Sequence, residues 1–324
     1  MALPTYASPL ERVWHYSFIV ICVLIFVFLM APILIVIPLS FNAEPYFTFT
    51  DKMLSFDPEG YSLRWYDNLL TTGMANPDAP RDSGWWSDAW ENAAWLRAAR
   101  ASVIIGFFAT IVATVLGTIA ALGLSRPEMP FRRIIMAFLI SPMIVPIIII
   151  ATGMFFFYAK EACVDPNGWI GTIFGPFLSA RGCLANSYLG VILAHAVLGI
   201  PFVIITVTAT LSGFDKSLSR ASASLGANPR RTFFKVILPL ILPGVISGAL
   251  FAFVTSFDEV VAVLFIAGPE QQTIPRQMWN GIREAISPSI LAVATILVIV
   301  SIGLLSTVEL LRRRSERLRG VTPR

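Results

Sequence analysis

Charge is what this chain has least of. Only 14% of its 324 residues are Asp, Glu, Lys or Arg, against 56% hydrophobic, and mean hydropathy is +0.73. A soluble domain of this length needs a polar surface, so that class is excluded. Several chemical motifs are missing as well. No Gly-x-x-x-x-Gly-Lys-Ser/Thr occurs, so the chain has no loop of its own to cradle ATP phosphates. Neither HExxH nor Gly-x-Ser-x-Gly occurs, and no catalytic residue or metal ligand set is assigned. Nothing points to a nucleic-acid partner. Cysteine is scarce at three residues, and Cys22 reads as a small apolar side chain inside a hydrophobic run.

Long apolar runs are abundant. Six are long enough to span, at about 17–39, 101–124, 134–158, 188–211, 242–266 and 289–311. Each exceeds the ~20 residues a helix needs to cross a bilayer, and helices satisfy their own backbone there. The expectation is an all-α polytopic membrane protein, with residues 1–324 forming a single transmembrane domain of six helices. Pro32, Pro142, Pro146 and Pro201 lie inside spans and should kink them. The first run is too long for a signal-peptide core and no small-residue cleavage site follows, so it reads as a retained anchor.

Six spans place both termini on one side, which carries 15 basic residues and five acidic ones, including the basic tail 312–324. The other side carries nine basic and thirteen acidic residues. The positive-inside rule makes the first side cytoplasmic. The outer loop 41–100 holds Trp85, Trp86, Trp90 and Trp95, which suit a membrane interface, a protein contact or a plain cap. Cys163 and Cys183 both fall in the outer loop between spans three and four. An oxidising compartment predicts a disulfide there, worth about 3 kcal/mol on the chain-entropy estimate; two unpaired thiols are the alternative.

The cytoplasmic loop 213–240 follows span four. Asp215 is placed to cap a short helix over Ser217–Leu225, which Gly226 would end. Asn228-Pro229 starts another helix, with proline where its missing N–H costs nothing. Phe233, Phe234 and Ile237 would form an apolar face, and Leu238-Pro239 and Leu242-Pro243 would break the chain back toward the membrane. Small residues Ala221, Ser222, Ala223 and Ser224 permit close approach to a partner, and Arg230, Arg231 and Lys235 can meet acidic groups or anionic lipid. An ordinary positively charged loop is the alternative.

Arg220-Ala221-Ser222, Gly226, Val236, Leu238 and Pro239 stand at the spacing of the motif Glu-Ala-Ala, three residues, Gly, nine residues, Ile-x-Leu-Pro. The loop therefore resembles the coupling loop of ABC importer permeases, with Arg220 where the family has Glu. The match extends along the chain. Ser62-Leu63-Arg64-Trp65-Tyr66, Thr114–Ala120, Ser256-Phe257-Asp258-Glu259-Val260-Val261, Gly268-Pro269, Ile274-Pro275 and Ser287-Pro288 are similar to the second permease of spermidine/putrescine-type importers. About 71–90 and 163–183 look like outer insertions.

The resemblance implies the type I importer permease fold with a cytoplasmic coupling helix, in a bacterial inner membrane. It implies a second permease, an ATPase dimer that binds ATP and Mg, and an extracytoplasmic binding protein. No cofactor is expected in this chain. The coupling residues would be Arg220, Ala221, Ser222, Gly226, Asn228, Pro229, Arg230, Leu238 and Pro239. Transport would proceed by alternating access.

Asp258 and Glu259 lie in span five. Carboxylates there are costly and commonly face a cavity or a partner. Adjacent helical residues point ~100° apart, so the two cannot face one lumen together. Asp258 is expected on the substrate pathway, with Glu259 beside it paired to Arg276 or Arg283. Phe251, Phe253, Phe257 and Trp279 could add cation–π contacts to an ammonium group. A buried structural ion pair is the alternative. His195, in span four between Ala194 and Ala196, is expected to make an interhelical hydrogen bond, with a substrate contact as the alternative. The substrate expected is a small cation such as putrescine or spermidine. The same importer class could instead carry an amino acid derivative, an opine or a phosphonate. An intramembrane enzyme and a channel are more distant readings. The adjacent carboxylates are poor geometry for catalysis, and no re-entrant filter segment is evident.

Overall fold

The computed structural model describes residues 8–126, 128–161, 163, 178–179, 182–215, 217–284 and 287–318. Most of the 163–183 excursion, Lys216 and the tail beyond residue 318 lie outside the described residues. The chain divides into two compact units, Met1–Thr72 with Gly281–Arg324, and Gly73–Asn280.

The first unit opens with α1 (Pro9–Leu39), whose start is set by a capping box. The Ser8 hydroxyl accepts from the Glu11 N–H, the Glu11 carboxylate accepts from the Ser8 N–H, and Pro9 sits at the first turn. None of the most apolar stretch of α1 is buried within the chain. Helices α2 (Asp51–Leu54) and α3 (Arg64–Thr71) follow. The Trp65 indole donates to the Asn42 carbonyl at 2.7 Å, and the Ser40 and Tyr66 hydroxyls meet at 2.7 Å, tying α3 to the end of α1.

The second unit begins with α4 (Ser83–Asn92), capped by Asp82, and turns at Ala93 into α5 (Ala94–Leu124). Trp85 and Trp95 are buried while Trp86 and Trp90 are exposed. Next come α6 (Arg132–Ile144) and α7 (Ile147–Phe156). The core of the unit is α5 against α8 (Tyr188–Ser212), with a third helix described below. Small residues let these axes approach. Ala101, Ala109, Ala113 and Ala121 line the buried stripe of α5. A Cβ on Gly199 of α8 would stand 3.3 Å from the Ala113 Cβ and 3.0 Å from the Ala252 Cβ. Three helices meet there with no space left for a side chain.

Helices α9 (Ser217–Ser224) and α10 (Pro229–Thr232) form the loop after α8. A π-helical stretch over Phe233–Ile237 leads into α11 (Leu238–Asp258), which packs on α5 and α8. Helices α12 (Val261–Ile266) and α13 (Ile274–Glu284) follow. Helix α14 (Ser289–Leu318) returns to the first unit, against α1 and α3. Cys163 and Cys183 are joined in a disulfide.

Among the described residues, four helices are long and apolar enough to cross a membrane, beginning at Pro9, Ala94, Tyr188 and Pro229. The pair Arg132–Ile144 and Ile147–Lys160 would make a fifth, bent by 101°. The apolar stretch Ser289–Gly303 of α14 occupies the place of the sixth.

The structure corrects several local expectations. The run 134–158 is two helices rather than one. Val145, immediately before Pro146, takes an extended conformation (φ −71°, ψ 135°), because proline disfavours a helical residue ahead of it. Pro32 and Pro201, in contrast, sit inside uninterrupted helices. Leu238-Pro239 does not break the chain. The wide π turn just before it, with the Leu238 N–H reaching the Phe233 carbonyl, makes room for the ring, and the helix continues past Pro243. The run 242–266 is divided, with α11 ending at Asp258.

Candidate functional site

Two places in the second unit carry the chemistry singled out above. The first is the loop of α9 and α10. The Asp215 carboxylate accepts from the Ser217 N–H at 2.8 Å and from the Ser217 hydroxyl at 2.6 Å. These bonds, hydroxyl first, hold its pKa below the usual carboxylate value. Helix α9 ends in a Schellman turn. The Ala227 N–H reaches the Ser222 carbonyl, the Gly226 N–H reaches the Ala223 carbonyl, and Gly226 has φ +77°. The Asn228 side chain then accepts from the Arg231 N–H at 2.8 Å and opens α10 with Pro229 at its first turn. The Ser222 and Thr232 hydroxyls meet at 2.9 Å and pin the two short helices together.

This geometry sorts the residues expected to form the coupling surface. Arg220, Ala221, Gly226, Asn228, Pro229 and Arg230 are exposed, and Leu225 at the tip is 88% exposed. Ser222 is half-buried because it faces Thr232. Leu238 packs against the hydrophobic core, so it roots the loop in the bundle.

The second place is the break after α11. Asp258 ends that helix, and Glu259 is extended at φ −76°, ψ 124°. Asp258 is exposed and has no hydrogen-bond or ion-pair partner among the described residues. Phe257 beside it is half-buried and stacks on Phe253 at 5.6 Å between centroids. Trp279, on α13, is 44% exposed, and no hydrogen bond or ring contact joins it to Asp258 among the described residues.

Glu259 is not the helical neighbour of Asp258 that was expected, and it pairs with neither Arg276 nor Arg283. Its Oε1 accepts from the Val261 N–H at 2.6 Å and the Ala262 N–H at 3.0 Å, the first free donors of α12. Arg276 also turns to backbone. Its Nη1 donates to the carbonyls of Ala267 at 2.9 Å, Gly268 at 3.2 Å and Val263 at 3.4 Å. The residues gave little warning of this, because an apolar run interrupted by two carboxylates has the same hydropathy whether it is bent or straight. The only cue was the β-branched pair Val260-Val261 after the two acids.

One further buried polar contact crosses between helices. The His195 Nδ1 and the Ser256 hydroxyl lie 2.8 Å apart, both buried, joining α8 to the last turn of α11. The other ring nitrogen has no partner among the described residues.

These features can be set beside known proteins. Residues 113–317 match the model of the family described as "Binding-protein-dependent transport system inner membrane component". The putrescine transport system permease protein PotI of Escherichia coli (strain K12) is 31% identical over 326 residues, covering 98% of this chain and 97% of PotI. The spermidine/putrescine transport system permease protein PotC of Haemophilus influenzae is 26% identical over 291 residues, covering 90% and 94%. Among solved structures, a chain of a bacterial ABC transporter involved in import of the acidic polysaccharide alginate superposes with a TM-score of 0.60. That match covers 96% of this chain and 99% of the other at 15% identity, a likeness of fold. The chain is therefore a member of the family of inner membrane components of binding-protein-dependent transport systems.

Proposed function

We propose that this chain is a permease subunit of an ATP-driven ABC importer that carries a small polycation of the polyamine type. The observation that carries the choice of cargo is Asp258. It is an exposed carboxylate without a hydrogen-bond or ion-pair partner among the described residues, at the end of a broken apolar helix. A carboxylate deep in a span costs about 2.5–3.5 kcal/mol on insertion scales, so one kept there without a counter-ion suits a cationic visitor. The last carbonyls of α11 lose their helical partners at the break and add negative potential at the same point. The Phe253–Phe257 stack offers aromatic surface beside it, and Trp279 is assigned to the same pathway. The names of PotI and PotC support the same cargo. The fold cannot choose, since a chain of an alginate importer shares it.

The division of labour follows from the residues. The chain has no phosphate-binding loop, so ATP and Mg belong to a partner ATPase dimer. The α9–Gly226–α10 knob, with Arg220, Arg230 and Leu225 exposed, is the surface offered to it. Leu238 and the packed α11 connect that knob to the break at Asp258 through one continuous element. Movement of the knob would thus displace the pathway carboxylate, as alternating access requires. A second permease would complete the pathway, and an extracytoplasmic binding protein would deliver the solute. The excess of basic residues on the side of the coupling loop puts both termini in the cytoplasm. Residues 1–324 act as one permease domain in this reading.

The test is uptake of labelled putrescine and spermidine by the full complex in liposomes, wild type against Asp258→Asn. Loss of uptake with assembly and ATPase activity retained is expected. Polyamine uptake unchanged by the substitution would make Asp258 structural. No polyamine uptake by wild type would send the search to neutral or anionic solutes.

A further inference from the structure

The break in span five would leave a six-residue helix, α12, with exposed backbone groups at both ends and too little length to hold itself. Each end is met by a charged side chain of the opposite sign. At the start, one Glu259 oxygen accepts from the Val261 and Ala262 N–H groups. At the finish, one Arg276 nitrogen is shared among the Val263, Ala267 and Gly268 carbonyls. Neighbouring elements hold the same finish. The Asn186 N–H donates to the Ile266 carbonyl at 2.8 Å, and the Gly268 N–H to the Gln271 side chain at 2.9 Å. The Ile274 N–H donates to the Ser102 hydroxyl of α5 at 2.8 Å, which fixes the helix that carries Arg276.

Both charges are thus committed to backbone, although an ion pair between them was the simpler expectation. We propose that Glu259 and Arg276 are positioning residues that clamp α12 from its two ends and thereby set where the adjacent Asp258 carboxylate points. Neither touches the solute. The part of this inference that concerns Asp258 rests on the functional reading above; the clamp itself rests on geometry alone.

Two measurements on the assembled complex in nanodiscs or liposomes test it. The first is amide hydrogen exchange over 259–268 without solute. Glu259→Ala should speed exchange at Val261 and Ala262, and Arg276→Gln should speed it at the C-terminal end of the clamped segment. Unchanged protection in both overturns the clamp whatever Asp258 does. The second is uptake kinetics. Glu259→Ala should raise the KM for putrescine about tenfold, the size of one lost charged hydrogen bond, with kcat within about twofold. Glu259→Gln keeps a carbonyl oxygen for the same N–H groups and should restore most of the loss. If Gln is as damaging as Ala while exchange stays slow, Glu259 meets the cation directly and the assignment fails. If exchange responds but uptake is indifferent to Asp258→Asn, the pathway reading falls and the clamp stands. Should Glu259→Ala fail to assemble, Arg276→Gln carries both measurements from the other end.

Discussion

At the scale of single residues, the molecule distinguishes backbone demands from partner demands. Gly226 has φ +77° but open space where a Cβ would go. Its requirement within the chain is therefore conformational, and Asn, which tolerates left-handed backbone, should serve where a β-branched residue should not. Gly226→Asn is expected to keep ATP-coupled uptake and Gly226→Val to lose most of it. If Asn abolished coupling while the loop stayed folded, a tight contact with the ATPase would be the reason for glycine. The His195–Ser256 bond makes the opposite kind of demand. His195→Leu leaves the Ser256 hydroxyl buried and unpaired, at a cost of about 1–3 kcal/mol. The double substitution with Ser256→Ala should recover much of that, read as the unfolding midpoint of the complex in detergent. Additive losses would refute the pairing. Outside the membrane, Lys52 and Glu59 form an ion pair at 2.7 Å whose mutual hydrogen bond raises the lysine pKa and lowers that of the glutamate. The glutamate contribution is present above its unfolded pKa of about 4.3 and is lost as pH falls through the lower folded value. The lysine contribution is present below about 10.4 and is lost as pH rises through the higher folded value. Both groups are solvent-exposed, so Glu59→Gln should leave the unfolding midpoint almost unchanged at neutral pH.

At the scale of elements, continuity depends on where prolines and charges meet the hydrogen-bond ladder. The local signals around α9 and α10 were legible, because Asp215, Gly226 and Asn228-Pro229 act on the next one or two turns and need no distant partner. The bend at Pro146 was legible as a kink but not as a 101° turn, since the residues fix the break and packing fixes the angle. The division of span five was not legible. Hydropathy sees only composition, and the opposite signs of Glu259 and Arg276 suggested a pair before their backbone partners were known. The crossing of α5, α8 and α11 gives a sharper prediction. Gly199→Ala already forces a 3.0 Å approach to the Ala252 Cβ, and a larger side chain would press two helices apart. Overpacking of this kind costs about 1–3 kcal/mol and sometimes more. Gly199→Leu should lower the unfolding midpoint clearly, and Ala252→Gly should relieve Gly199→Ala. A neutral Gly199→Leu would mean that these helices do not meet as described.

At the scale of the whole molecule, the chain leaves much of its apolar surface uncovered. Helix α1 is the extreme case, since none of its most apolar stretch is buried within the chain. A helix that is hydrophobic all round needs a surrounding that is equally apolar, and the family assignment makes the bilayer that surrounding. Cys22 reports on this directly. It is an exposed free thiol near the middle of the 31-residue helix, while Cys163 and Cys183 are held in their disulfide. Counted from the centre of the apolar run 17–39 at 1.5 Å per residue, it stands about 9 Å from the bilayer midplane, inside a hydrocarbon core about 30 Å thick. A fluorophore attached at Cys22 in the reconstituted complex should be quenched by lipids brominated deep in their acyl chains and be indifferent to aqueous iodide. Quenching by iodide would place α1 in water and remove it from the set of spans. Protection from both quenchers would mean that protein, rather than lipid or water, covers this helix.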